Sequence, residues 1–243
     1  ITLQAFYSLF NVGIVFNGFN EAKSLPVLID ESLQYQEDVT HTLGTQVSRA
    51  VEVLIQSIDR INHDHNGQLL EGVEPEELYE AGLTFMMRLV FLLCAEERGL
   101  LLLGDQAYEA NYALSTLRAK LREEASLHGD EVLSYRKNAW SRLLAIFRAV
   151  YAGVEHENMR MPALGGSLFD PDRFPFLEGR GKGSSWQEEQ AKPLPIDNRT
   201  VLLFLDAIQL YQGRTLSYRA LDVEQIGYVY EGLLEQTVKR APD

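Results

Sequence analysis

The chain has 243 residues, with 22 lysines and arginines against 35 aspartates and glutamates, net charge −13, and one cysteine, Cys94. That length buries roughly 70% of the unfolded surface without covalent staples, and a lone cysteine rules out a disulfide framework and suits a reducing, cytoplasmic setting. The acidity discourages a phosphate-binding surface overall, but it is uneven: residues 1–110 hold 5 basic and 17 acidic residues, net −12, whereas residues 111–243 hold 17 and 18, net −1. A face that meets DNA would come from the second part.

The first residue is Ile1, and ITLQAFYSLF has neither a basic leader nor a small-residue cleavage site, so the expectation is a piece of a longer protein. AFYSLFNVGIVF is ambiguous between helix and buried strand. From Val39 to Ile61, Val47, Val51, Leu54, Ile55 and Ile58 recur at helical spacing and predict a long amphipathic helix. NHDHNG ends it, with Asn66 and Gly67 supplying a left-handed exit.

Pro75 followed by Glu76 and Glu77 opens the next helix, since proline suits the first turn and carboxylates the positive end of the dipole. LTFMMRLVFLLCA is apolar on nearly every side, which predicts a central helix over about 75–98 with Gly99 as cap. Its longest unbroken apolar stretch, 89–95, falls short of the ~20 residues of a membrane span, so no membrane partner is expected.

Helices are predicted over Tyr108–Glu124 and Asn138–Tyr151, the latter with Trp140, Leu143, Leu144, Phe147 and Val150 on one face. Residues 161–195 hold five of the eight prolines and should form an irregular excursion: Phe169, Phe174 and Phe176 pack it down, and GRGKGSSWQEEQAK is a mobile loop. A helix resumes over Asp197–Tyr211. The last, over 222–238, is capped by Asp222 with Gln225 in the capping-box position. The expected fold is all-α, an irregular multi-helix bundle around the central apolar helix.

Chemistry-bearing patterns are sparse. His63 and His65 point apart on a helix and have no third ligand nearby. DPDRFPFLEGRGK imitates a magnesium nuclease signature, but prolines separate Asp172 from Glu178, and Arg180 stands where lysine is needed; a packed loop is the better reading. GRGKGSS breaks the phosphate-loop order and GGSLF the nucleophile elbow. Arg88, the one charge amid the central apolar run, calls for a carboxylate partner. Arg118, Lys120, Arg122, Arg136, Lys137 and Arg142 form a local basic concentration, which is either a solvated face or a set of DNA-backbone contacts.

Three segments, MRLVFLLCAEERGLLL (87–102), MPALGGSLFDPDRFPFLE (161–178) and LSYRALDVEQIGYVYEGLLE (216–235), together resemble the helical region of large DNA methyltransferases of the fused restriction-modification type. That family includes methylases of bacterial phage-defence islands. The resemblance covers about residues 25–238 and is most specific in the last segment, where Tyr230 and Glu231 match the family's Tyr-Glu pair and Tyr228 replaces a smaller residue.

The resemblance implies a single helical spacer over 1–243, whose last helix leads into a methyltransferase domain and whose other side adjoins a nuclease or accessory part. S-adenosylmethionine, and magnesium if a nuclease is present, would belong to the parent enzyme, as would the DNA substrate. The cofactor-binding glycine turn and the Asn/Asp-Pro-Pro-aromatic loop of adenine N6 chemistry do not occur in this sequence, so no catalytic residue carries over. Val229, Tyr230, Glu231, Leu233 and Val238 are the expected docking residues for the next domain, with Val229, Leu233 and Val238 at the centre of an apolar patch. The alternative is a free-standing helical module that recruits a protein through its acidic part and has no DNA role.

Overall fold

The computed structural model describes residues 25–156, 159–211, 214–221 and 223–234. The amino-terminal ambiguity, Asp222 and Val238 lie outside them. The chain divides into two units, residues 1–43 and 44–243. Of the first, the structure describes helical backbone from Leu25 onward, the start of α1 (Leu25–Asp64).

In the second unit the fold is all-α around a central apolar helix. The rest of α1 buries Val47, Val51, Leu54 and Ile58, the predicted stripe, with Ile55 half-buried. It ends at Asn66 (φ 54°) and Gly67 (φ 79°), the left-handed exit the sequence indicates. α2 (Pro75–Glu97) follows, with Pro75 in its first turn and Glu76 and Glu77 at its positive end. Residues 81–96 of α2 are buried except Phe91. α2 passes close to α1 at Gly82, where a Cβ would stand 3.3 Å from Val51 Cγ1. By length and composition α2 would also suffice to cross a membrane; here it is the core helix.

The predicted helix over Tyr108–Glu124 is two helices, α3 (Gln106–Asn111) and α4 (Leu114–His128). Each start has its own acceptor. Asp105 takes the Tyr108 amide at 2.9 Å, and Glu96 of α2 takes those of Leu114 at 2.6 Å and Ser115 at 3.1 Å. A short turn, α5 (Glu131–Ser134), leads to α6 (Asn138–Ala152). All five residues predicted on the α6 inner face are buried. Gly153 (φ 78°) turns the chain into a hairpin, β1 (Val154–His156) with β2 (Met159–Met161), Val154 opposite Met161.

The excursion follows, with a 3₁₀ turn at Pro175–Glu178, then α7 (Asn198–Gln209) capped by Asp197 on the Thr200 amide at 2.7 Å. A two-residue ladder, β3 (Leu210–Tyr211) with β4 (Arg214–Thr215), and a 3₁₀ turn at Tyr218–Ala220 precede α8 (Val223–Leu234). The aromatic centre is Phe85 of α2, stacked on Trp140 at 4.5 Å and edge-on to Phe147 and Phe204 at 5.0 and 5.9 Å. One ring thus ties α2 to both α6 and α7.

Candidate functional site around the central helix

The segments that carry the resemblance meet on α2. Arg88, 4% exposed, donates from Nε to the Leu168 carbonyl at 2.6 Å and from Nη2 to that of Asp170 at 3.0 Å. Its guanidinium lies 5.3 Å from the Phe147 ring centre. The expected carboxylate partner is therefore corrected: Arg88 bonds two backbone carbonyls, because an irregular segment offers acceptors that regular structure would have used. Burial pulls its pKa down to about 10, with Glu178 acting through space in the opposite direction.

The same segment carries a four-charge cluster. Glu178 accepts Arg148 Nε on Oε1 at 2.8 Å and, on Oε2, Arg148 Nη2 at 2.5 Å and Arg180 Nε at 2.8 Å. Arg180, its side chain fully enclosed, also donates to Asp172 Oδ1 at 2.8 Å, the Pro171 carbonyl at 2.7 Å and Ser184. Asp172 further accepts the Trp186 amide at 2.7 Å. The carboxylates of the nuclease-like pattern thus serve two arginines. Among the described residues, no group of three or more His, Cys, Asp or Glu is placed to hold a metal ion.

The cluster also ties part of GRGKGSSWQEEQAK, expected as a mobile loop, to the bundle. Arg180 meets acceptors on several sides, Lys182 reaches Glu77 at 2.8 Å, and Trp186 lies under the Arg148 guanidinium.

The last helix joins the same assembly. Tyr79 donates to the Leu233 carbonyl at 3.0 Å, Arg98 donates to the Leu221 carbonyl, and Glu97 accepts the Ser217 hydroxyl at 3.0 Å and the Arg219 amide at 2.9 Å. Arg173 of the excursion pairs with Glu80 at 2.6 Å. Among the described residues of the expected patch, Val229 and Leu233 are buried, since α8 turns this stripe inward against α2, while Val238 lies outside the described residues. Tyr230 is half-buried and Glu231 exposed, while Tyr228 and Leu234 are the large apolar residues on the outer face, 67% and 41% exposed.

The basic concentration is largely paired within the chain. Arg118 and Arg122 both bind Asp206 of α7, the first at 2.9 Å, and Arg136 pairs with Glu124. Arg142 donates to the carbonyls of Ala113 and Glu109 at 3.1 and 3.4 Å, and burial lowers its pKa. Lys137 is exposed at the start of α6, and Lys120 is exposed with only a 3.4 Å contact to the Ala110 carbonyl. His63 and His65 are exposed, His65 lying 2.7 Å from the Ile61 carbonyl through Nδ1. Sequence reasoning did not mark Glu96, Arg148 or Arg173, whose partners are distant in sequence, and met Arg180 only as a departure from the nuclease pattern.

Comparison with protein-family models, curated proteins and solved structures finds no match for this chain.

Proposed function

We propose that the chain is the non-catalytic helical region of a bacterial, cytoplasmic, S-adenosylmethionine-dependent DNA adenine methyltransferase of the fused restriction-modification type, joining its methyltransferase domain to a nuclease or accessory part. One observation carries the reading. The three segments that resemble this family are packed on one another, the second held by Arg88 and the third by Glu97 and Arg98, all from the first. A resemblance spread over three distant stretches gains weight when those stretches form one structural unit.

The coding sequence that follows Asp243 tests it. A strand, glycine-rich turn and helix followed by an Asn-Pro-Pro-Tyr-like loop support the proposal; a stop codon soon after Asp243 sinks it. In this reading contact to DNA backbone falls first to Lys120 and Lys137, with the outer sides of Arg122 and Arg136, 49% and 56% exposed at the side chain. Reversing the two lysines should weaken duplex binding alike on all sequences and flatten the salt dependence, by roughly one unit of slope per lost phosphate contact.

The internal pairing of Arg118, Arg122, Arg136 and Arg142 favours the second reading, a protein-interaction module without a DNA role. No salt-dependent duplex binding by the chain would select it.

A further inference from the structure

Between α2 and α8 lies a cleft of about 330 Å³ walled by Met87, Phe91 and Ala95 on one side and Leu168, Ile226 and Gly227 on the other. Among the described residues of its lining, Arg98 is the one charge. Arg98 is exposed, gives one N–H to the Leu221 carbonyl, and is paired with no described carboxylate. Cys94 adds a thiol to the wall, 7% exposed. The cleft continues outward over Phe91, 37% exposed, and Leu100, 73% exposed. Gly227 is exposed at the edge of the cleft, and a Cβ there would meet no atom within 4 Å.

The volume falls at the small end of ligand sites, ~300–1,000 Å³. It matches roughly ten water-sized volumes and is too small for a helix, whose side chains span about 10–12 Å. Water gains little against a wall that is almost wholly apolar. We propose that this cleft binds a single-chain anionic amphiphile, an alkyl carboxylate whose tail lies along Met87, Phe91, Ala95 and Ile226 and whose head meets the Arg98 guanidinium. The tail replaces water on apolar wall, and a carboxylate makes charge-assisted bonds with arginine that a neutral head cannot. Bound there, the ligand touches α2 and α8 together, so its occupancy fastens the last helix to the core by mass action.

The test uses decanoate as probe, titrated calorimetrically below its micelle concentration into the full chain and three variants. Gly227→Leu enlarges a residue of the cleft lining at a position where an added Cβ meets no atom within 4 Å, and leucine is the better helix former, so the variant keeps its fold. Gly232→Leu makes the same exchange at an exposed position of α8 with no atom within 4 Å and controls for helix propensity. Arg98→Met removes the charge and with it the bond to the Leu221 carbonyl. The expected result is saturable one-site binding to the wild type and to Gly232→Leu, loss in Gly227→Leu, and at least tenfold weakening in Arg98→Met. No saturable binding to the wild type, or binding to Gly227→Leu equal to wild type, overturns the site. Equal affinity in Arg98→Met overturns the anionic head.

Discussion

Glu96 Oε1 accepts the Leu114 amide at 2.6 Å and the Tyr108 hydroxyl at 3.1 Å, so the last turn of the central helix caps the start of another. The carboxylate is 3% exposed and meets the positive end of α4. Removing it leaves the buried Leu114 amide and the buried Tyr108 hydroxyl without an acceptor, which costs on the order of 3 kcal/mol. Glu96→Ala should therefore lower the urea midpoint strongly. Glu97→Ala, an exposed cap on the Tyr218 turn, should lower it by under about 1 kcal/mol. Equal effects of the two would contradict this account.

Arg88 holds the excursion to the core through the Leu168 and Asp170 carbonyls. Arg88→Ala opens a cavity and strands both carbonyls, a loss of roughly 3–5 kcal/mol. Arg88→Met keeps the volume and should lose less. Limited proteolysis distinguishes a local role from a global one: both variants should show new cleavage within residues 161–173, ahead of cleavage in α6. Cleavage uniform along the chain would mean the arginine does not anchor this segment in particular.

Much of the fold was legible because its signals are local. Pro75, Glu76 and Glu77 mark the start of α2 in three consecutive residues, and the α6 stripe from Trp140 to Val150 lies within one helix. The break between α3 and α4 was not legible, because the group that makes it favourable is Glu96, 18 residues before Leu114 and indistinguishable in sequence from the adjacent Glu97. The structural role of Arg180 was hidden likewise. It sits between Gly179 and Gly181, a linker-like context, and its acceptors on Asp172 and Glu178 come together only once the prolines have bent the chain. The inward turn of Val229 and Leu233 depends on where the chain brings α8, which helical periodicity does not encode.

Gly179 has φ +67°, and a Cβ there would stand 2.0 Å from the Lys192 carbonyl oxygen, which belongs to the strand of chain that closes the excursion. Gly179→Ala combines left-handed strain with a backbone clash and should destabilise by up to about 3 kcal/mol. Gly181→Ala, with ordinary backbone and open space around it, should be near neutral. Thermal unfolding of the pair checks this, and similar midpoints would contradict the close approach.

The Arg118–Asp206–Arg122 triad joins α4 to α7 with Asp206 14% and Arg118 18% exposed at the side chain. Exposed pairs contribute ~0–1 kcal/mol, and Arg122, half exposed, belongs to that class. A double-mutant cycle of Arg118→Ala with Asp206→Ala should give a coupling of about 1 kcal/mol, larger than the cycle through Arg122→Ala. Coupling equal to zero at Arg118 would release this arginine for contact with a partner.

Burial pushes the Cys94 thiol from 9.0 up to about 11, with Arg98 pulling the other way. The folded protein then holds this proton more tightly than the unfolded chain, so the stability it contributes is complete below pH 9 and is lost as pH rises through about 11. Tyr108 and Tyr218, also pushed up by burial, steepen the alkaline decline of the wild type. Cys94→Ala separates the thiol from them. The stability difference, wild type minus variant, from urea unfolding at pH 8, 9.5 and 11 should fall by on the order of 2 kcal/mol across that range. A small disulfide reagent should react slowly with native protein at pH 8 and rapidly once urea unfolds it. A constant stability difference together with fast native labelling would place the thiol in water rather than in the wall of the cleft.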